Sequence, residues 1–141
     1  MKITCVGGGP TGLYFALLSK LRSSRSEVTV IERNAPGEIH GWGVTWGDEL
    51  LDDFYACDPV SARRLRSASL LWGKQVVRID GRPPVHLGGK YGYSMSRSRM
   101  QQILTDRASE LGVRLEYGQA VNDDSALDAD LVVAADGVGS R

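Results

Sequence analysis

Lys2–Gly12, which reads KITCVGGGPTG, is the stretch that decides the fold. A short apolar run, Lys2–Val6, ends in glycines, and a run of helix-forming residues, Thr11–Arg22, follows it directly. After a polar turn, Val28–Ile31 is a continuous run of β-branched residues of the kind found in parallel strands covered on both faces. We therefore predict that Lys2–Glu32 forms a strand, helix, strand unit with a right-handed crossover, which is the core of an α/β fold with a parallel sheet.

The glycines of this stretch follow the spacing Gly7-x-Gly9-x-x-Gly12 and lie between a predicted strand and a predicted helix. In Rossmann-like folds the first glycine permits a tight turn, the second lets the backbone approach a pyrophosphate, and the third lets the helix pack closely on the strand. Pro10 and Thr11 begin the helix, whose first N–H groups and positive dipole end favour a phosphate. These residues are therefore predicted to bind a dinucleotide.

Glu32 stands at the end of the second predicted strand, where a carboxylate can accept hydrogen bonds from ribose hydroxyls. The following segment, Arg33–Gly47, contains one proline and four glycines, which predicts a long ordered loop instead of the next helix of a plain NAD domain. This interruption favours FAD as the bound dinucleotide. The alternative is a glycine-rich turn followed by a surface glutamate.

The rest of the chain alternates between helical and strand patterns. A DPV signature at Asp58 predicts an N-cap with proline in the first helical turn. Turn residues separate two strands of a predicted antiparallel hairpin inserted beside the parallel sheet. The predicted elements are helices Asp48–Ala56 with Asp48 as N-cap, Pro59–Arg66 and Ser98–Leu111 with Gly112 at its end, and strands Gln75–Ile79, Val85–Leu87, Val113–Tyr117 and Leu131–Ala134.

Composition limits the class of protein. The 141 residues, of which 42% are hydrophobic, suit one globular domain. Seventeen basic residues balance seventeen acidic ones, so the positive charge of a nucleic-acid or anionic-membrane binder is missing. No run approaches the roughly 18 apolar residues of a membrane span. Cys5 and Cys57 form no CxxC pair, and no metal site is indicated. We expect a soluble cytoplasmic protein whose partner is a small molecule.

Three segments resemble the flavoprotein aromatic hydroxylases, single-component NAD(P)H-dependent monooxygenases similar to para-hydroxybenzoate hydroxylase. VGGGPTGL with VIER, at Val6–Leu13 and Val30–Arg33, resembles the FAD fingerprint of that family. SRSRMQQIL, Ser96–Leu104, resembles its second helix segment, and AADGVGSR, Ala134–Arg141, resembles its Asp-Gly motif. HGWGVTWGDELLDDF, His40–Phe54, is similar to a narrower group, the salicylyl-CoA and 2-aminobenzoyl-CoA hydroxylases.

The resemblance implies a Rossmann-like FAD-binding domain and a role for each matching residue. Glu32 would bind the ribose, Arg33 would lie on the adenine side, and Arg97 would lie near the phosphates. Gly41–Val44 would approach the isoalloxazine ring. The implied cofactor-binding residues beyond the glycine loop are Glu32, Arg33, Trp42, Gly43, Val44, Arg97, Asp136 and Gly137.

The resemblance also implies hydroxylation of an aromatic substrate, with flavin supplying the redox chemistry and NAD(P)H and O₂ as co-substrates. An aromatic acyl-CoA is one candidate substrate. The family's later Gly-Asp motif and substrate-binding sheet are absent, so residues 1–141 are expected to be the N-terminal part of an FAD-binding domain, inactive alone. The competing hypotheses are an FAD-dependent reductase or dehydrogenase and a non-catalytic nucleotide-binding fragment.

Several polar and aromatic residues have two possible roles. His40 and His86 are isolated in sequence and are expected to be ordinary loop or hairpin residues, not catalytic bases. Trp42 and Trp46 could line the flavin pocket or pack in the core. No catalytic side chain is assigned.

Overall fold

The computed structural model describes residues 1–38 and 41–138. Among them, residues 1–38 and 98–138 form a first compact unit, and residues 41–97 form a second. The elements are β1 Lys2–Val6, α1 Pro10–Arg22, β2 Glu27–Glu32, β3 Gly43–Gly47, α2 Asp48–Cys57, α3 Pro59–Ala68, β4 Leu70–Val77, β5 Val85–Ser96, α4 Arg97–Glu110, β6 Arg114–Tyr117, a 3₁₀ turn Asp124–Ala126 and β7 Leu131–Ala134.

The first unit contains a four-stranded parallel sheet in the order β6-β2-β1-β7. Cys5 of β1 lies opposite Val30 of β2 and Val133 of β7. Ile3, Thr4 and Cys5 are all buried, so both faces of this central strand are covered. Because the strands are parallel, the carboxyl ends of β1, β2 and β7 meet at one edge of the sheet. The glycine loop, Glu32 and Asp136 all lie at this edge.

Two helices of the first unit contribute buried apolar side chains. In α1 the interior of the helix is formed by Leu13, Ala16 and Leu17, each at most 1% exposed. In α4 the buried side chains are Met100, Ile103, Leu104 and Ala108. Burial of these faces is the main stabilising contribution to helices of this length.

The second unit is a three-stranded antiparallel sheet, β3-β5-β4, with helices α2 and α3. Trp46 of β3 lies opposite Tyr93 of β5, and both side chains are buried. The Arg66 guanidinium stacks over the Tyr93 ring at 4.8 Å from its centroid, a cation–π contact. The remaining core of this unit consists of Leu51, Phe54, Ala62, Leu65 and Met95.

Most predicted elements are confirmed. Strands β1 and β7 occupy the predicted residues. Five further elements begin and end within one residue of their predicted bounds, namely α1, β2, α2, α4 and β6. The antiparallel hairpin is also confirmed. Its first strand ends at Val77 and not at Ile79, and both strands are longer than predicted because pairing continues to Leu70 and Ser94. Asp58 caps α3 as predicted, since its carboxylate accepts hydrogen bonds from Val60 N and Ser61 N.

Two predictions were wrong. Gly43–Gly47 is strand β3 and not part of a loop, because β5, which is distant in sequence, supplies the hydrogen-bonding partner; Gly43 lies opposite Ser96 and Gly47 opposite Gly92. Asp48 is the first residue of α2 and not its N-cap. Gly47 takes the cap position, with an extended backbone at φ −89° and ψ −179°.

Candidate dinucleotide site

The glycine loop makes a tight turn from β1 towards α1. Gly7 has φ +111°, a left-handed conformation that side chains disfavour, and its N–H donates to the Ile31 carbonyl at 2.8 Å. A Cβ atom on Gly7 would collide with the Ala135 carbonyl and lie 2.7 Å from Asp136 N. A Cβ atom on Gly12 would collide with the Gly7 carbonyl oxygen. Both glycines are therefore required by close backbone packing.

The second glycine of the pattern has different surroundings. A Cβ atom placed on Gly9 would meet nothing within 4 Å. Gly9 is the N-cap of α1, Pro10 follows it at the start of the helix, and no side chain caps this end. Thr11 is exposed, and the first turn contains no acidic residue. The positive end of α1 therefore lies beside open space, which is the arrangement that binds a phosphate.

The Glu32 carboxylate lies beside the glycine loop and stabilises it through hydrogen bonds. Oε2 accepts from Gly8 N at 2.7 Å, and Oε1 accepts from Asn34 N at 2.9 Å. Each oxygen keeps further acceptor capacity, so the carboxylate can still accept hydrogen bonds from ribose hydroxyls. The predicted position of Glu32 is confirmed, and its role as a support for the loop was not foreseen.

The end of β7 completes this edge of the sheet. Ala135 N donates to the Val6 carbonyl at 2.7 Å, which holds β7 against the start of the glycine loop. Asp136 is half-buried directly after this contact, and Gly137 is exposed with φ +82°. The structure therefore brings Asp136 next to Gly7, two residues that are far apart in sequence.

Gln101 of α4 is a loop contact that sequence reasoning missed. Its side-chain Nε2 donates to the Gly8 carbonyl at 3.0 Å. Gln101 follows the buried Met100 and is half-buried. The only sequence signal was its place in the segment Ser96–Leu104, where the resemblance singled out Arg97 instead.

Four further residues of the resemblance, Arg97, Trp42, Gly43 and Val44, lie in the second unit. Arg97 N donates to the Trp42 carbonyl at 3.3 Å, so these two residues are brought together. The Trp42 side chain is 98% exposed, and Val44 of β3 lies opposite Met95. A Cβ atom on Gly43 would lie 3.0 Å from the Met95 carbonyl oxygen, so a larger residue would strain the pairing of β3 with β5.

Of the two tryptophans with two possible roles, Trp46 packs in the core. It is 7% exposed, and its indole Nε1 finds no hydrogen-bond partner among the described residues. His86 is exposed in the hairpin opposite Val76. Arg33 is exposed after β2. His40 lies outside the described residues, as does the end of the Ala134–Arg141 motif.

Curated proteins similar to this chain are hydroxylases and monooxygenases. The chain is 38% identical over its whole length to a salicyloyl-CoA 5-hydroxylase from a Streptomyces species, and it covers 27% of that protein. It is 36% identical over 99% of its length to a 3-hydroxy-4-methyl-anthranilyl-(aryl-carrier protein) 5-monooxygenase from Streptosporangium sibiricum, of which it covers 39%. The chain is therefore similar to a part of each of these two proteins. It spans well under half the length of these curated relatives, and no family model matches it.

Solved structures with the same fold include an oxygenase and a complex with FAD. A 2-methyl-3-hydroxypyridine-5-carboxylic acid oxygenase superposes with a TM-score of 0.82 at 24% identity, over 99% of this chain and 40% of that one. CtdE in complex with FAD superposes with a TM-score of 0.76 at 19% identity, over 99% of this chain and 39% of that one. These likenesses confirm the predicted α/β fold class. No helix in the described part of the chain is long and apolar enough to cross a membrane.

Proposed function

We propose that this chain binds the ADP half of FAD in a monooxygenase that uses NAD(P)H and O₂ to hydroxylate an aromatic substrate. The observation that carries the proposal is the similarity of the whole chain to two aromatic hydroxylases. The glycine loop agrees with it, since it leaves open space beside the uncapped start of helix α1. FAD is favoured over NAD as the bound dinucleotide. In a plain NAD domain a helix would follow the strand that ends at Glu32, whereas here the chain continues into the second unit.

The residues at the carboxyl edge of the sheet fit the adenosine and pyrophosphate of a dinucleotide. Gly9, Pro10 and Thr11 would present the positive helix end to the pyrophosphate. Glu32 would accept hydrogen bonds from the ribose, and its negative charge would disfavour a 2′-phosphate. Arg33 on the adenine side, Arg97 near the phosphates and Trp42, Gly43 and Val44 near the ring stay predictions, as does the support of the cofactor by Asp136 and Gly137.

When bound, FAD would supply the redox chemistry with NAD(P)H and O₂. The contribution of this chain is to bind and orient the nucleotide end. We propose that residues 1–141 are the N-terminal part of the FAD-binding domain and that hydroxylation needs residues beyond them. A cytoplasmic location and the absence of a nucleic-acid partner also stay predictions.

The names of the two relatives narrow the substrate class. One acts on a salicyloyl thioester of CoA, and the other on an anthranilyl group attached to an aryl-carrier protein. Both substrates are hydroxy- or amino-substituted benzoyl groups carried on a larger molecule. We therefore propose that the substrate is an electron-rich benzoyl group activated as a thioester.

The proposal is tested on the purified full-length protein. We expect flavin absorption in the visible range, or its appearance after reconstitution with FAD, and a hydroxylated product when NAD(P)H, O₂ and an aromatic acyl-CoA are supplied. A protein that binds FAD and oxidises NAD(P)H without forming such a product would be a reductase or dehydrogenase. A protein that cannot be reconstituted with FAD would refute the assignment altogether.

A further inference from the structure

We propose that Gln101 is a positioning residue, which holds the Gly8–Gly9 peptide plane so that Gly9 N–H points to the dinucleotide phosphate. This inference rests on the proposed binding of FAD. It assigns to Gln101 a hydrogen bond to the protein backbone and no contact with the ligand.

Both polar groups of Gly8 are bound by side chains from other elements. Gln101 Nε2 donates to the Gly8 carbonyl oxygen at 3.0 Å, and Gly8 N donates to Glu32 Oε2 at 2.7 Å. Gly8 itself is buried, and a Cβ atom on it would lie 2.9 Å from Glu32 Cβ. A side chain of β2 binds the Gly8 N–H and a side chain of α4 binds its carbonyl, so the two hydrogen bonds together hold the Gly8 backbone in one orientation.

That orientation decides where the next N–H points. The chain has no cis peptide bond, and in a trans peptide the carbonyl and the following N–H point in opposite directions. Since Gln101 binds the Gly8 carbonyl, Gly9 N–H points away from Gln101. Among the described residues no hydrogen bond from Gly9 N–H is found, and the space around Gly9 is open. A preorganised donor of this kind binds a phosphate without a further ordering cost.

The neighbouring Gln102 provides a matched control. It lies on the same helix, is exposed, and donates from Nε2 to Asp106 Oδ1 at 2.7 Å within α4. The same substitution at Gln101 and at Gln102 therefore removes one side-chain hydrogen bond in each case. Only the substitution at Gln101 frees the glycine loop.

The experiment measures FAD affinity and the melting temperature of the apo form for Gln101→Met, Gln101→Glu, Gln102→Met and Gln102→Glu in the full-length protein. We expect both Gln101 variants to bind FAD about five- to twentyfold more weakly at pH 8, because each loses one hydrogen bond to the Gly8 carbonyl. In Gln101→Glu the new carboxylate also repels the carbonyl oxygen. The Gln102 variants are expected to keep wild-type affinity. The apo melting temperatures should be similar at the two positions.

A pH profile separates positioning from a general loss of structure. As the pH falls from about 8 to about 4, below the ordinary pKa of glutamate, most of the new carboxyl groups of Gln101→Glu gain a proton and can again donate to the Gly8 carbonyl. Its FAD affinity relative to wild type should then recover, whereas that of Gln101→Met should not. Each value is taken relative to wild type at the same pH, so that pH effects common to both proteins cancel.

Three outcomes overturn the inference. If wild type binds FAD and the Gln101 variants bind it as the Gln102 variants do, positioning is refuted while the proposed function stands. If the Gln101 variants lose affinity only in proportion to a lowered apo melting temperature, with no recovery for Gln101→Glu at low pH, the bond is purely structural. If wild type binds no FAD, the proposed function fails and this inference fails with it.

Discussion

Gly7 and Gly9 differ in the space around them, although both belong to one glycine pattern. Gly7 has a positive φ and backbone atoms where a Cβ atom would be, whereas Gly9 has φ −71° and open space. We expect Gly7→Ala to lower the free energy of unfolding by more than about 2 kcal/mol. Gly9→Ala should change it by less than about 0.5 kcal/mol and should weaken FAD binding.

Urea denaturation of the apo forms and fluorescence titration with FAD measure the two effects. Equal loss of stability in Gly7→Ala and Gly9→Ala would contradict the different packing described for the two glycines. An unchanged affinity in Gly9→Ala would place the phosphate away from this loop.

Glu32 combines a structural and a binding role on one carboxylate. Glu32→Ala removes the acceptor of Gly8 N–H and Asn34 N–H together with the expected ribose contact. We expect FAD binding to weaken by about 1–3 kcal/mol, the range for losing a charged hydrogen-bonding partner. The dissociation constant from flavin fluorescence quenching is the measurement, with Glu38→Ala, an exposed loop position, as control. An unchanged constant would move the ribose contact elsewhere.

The two cysteines are expected to react differently because only one is buried. Burial raises the pKa of the Cys5 thiol from 9.0 to about 11, whereas Cys57 is exposed. At pH 8 we expect an alkylating reagent to modify Cys57 quickly and Cys5 only after unfolding, as peptide mass spectrometry would show. Rapid modification of Cys5 in the native protein would contradict its burial in β1.

The raised pKa of Cys5 also makes the stability of the folded protein depend on pH. The folded protein favours the neutral thiol, so the contribution of Cys5 is fully present below pH 9.0 and is lost as the pH rises towards about 11. The free energy of unfolding should therefore fall more steeply over this range in wild type than in Cys5→Ala.

At the scale of elements, the N-cap of α3 is the clearest stabilising feature. Asp58 is 2% exposed, and its carboxylate accepts from Val60 N, Ser61 N and Ser61 Oγ, the last at 2.6 Å. We expect Asp58→Ala to lower the free energy of unfolding by about 1–3 kcal/mol, because a buried cap and its partners lose their hydrogen bonds. Thermal or urea denaturation of the apo form measures this change.

Asp123 provides the control for that prediction. It caps the 3₁₀ turn Asp124–Ala126 in the same way, through Ser125 N and Ser125 Oγ, but at an exposed site. Asp123→Ala should therefore have a much smaller effect than Asp58→Ala. Similar effects at the two positions would mean that burial adds nothing to the cap of α3.

At the scale of the whole molecule, the second unit is inserted in sequence between β2 and α4 of the first. It contains Gly41–Phe54, most of the segment whose resemblance to aromatic acyl-CoA hydroxylases implies that flavin reduction waits for substrate. We therefore expect flavin reduction by NAD(P)H to be faster when an aromatic acyl-CoA is bound, as stopped-flow absorbance would show.

An aliphatic acyl-CoA of similar size is the matched control for the accelerated reduction. It keeps the nucleotide and the thioester and lacks the ring, so it should leave the rate near that of the free enzyme. Equal rates with aromatic, aliphatic and no substrate, and no hydroxylated product, would favour the reductase hypothesis.

Features that depend on neighbouring residues could be predicted from the sequence. Three features of this kind depend only on residues close together in the chain. They are the spacing of Gly7, Gly9 and Gly12, the apolar runs of β1 and β7, and the helix cap at Asp58. Sequence pattern and local chemistry were therefore sufficient to predict them. The common edge of the sheet at which the glycine loop and Glu32 lie was predicted as well, because parallel strands bring their carboxyl ends together.

Only the tertiary structure decided the features that depend on distant partners. Gly43–Gly47 contains two glycines and reads as a loop, yet pairing with β5 makes it a strand. The bond from Gln101 to Gly8 joins residues 93 positions apart, and the burial of Trp46 depends on the strand opposite it. Such contacts could not be predicted, because a hydrogen bond or a buried ring depends on which atoms meet in space, and local sequence specifies only what each segment prefers alone.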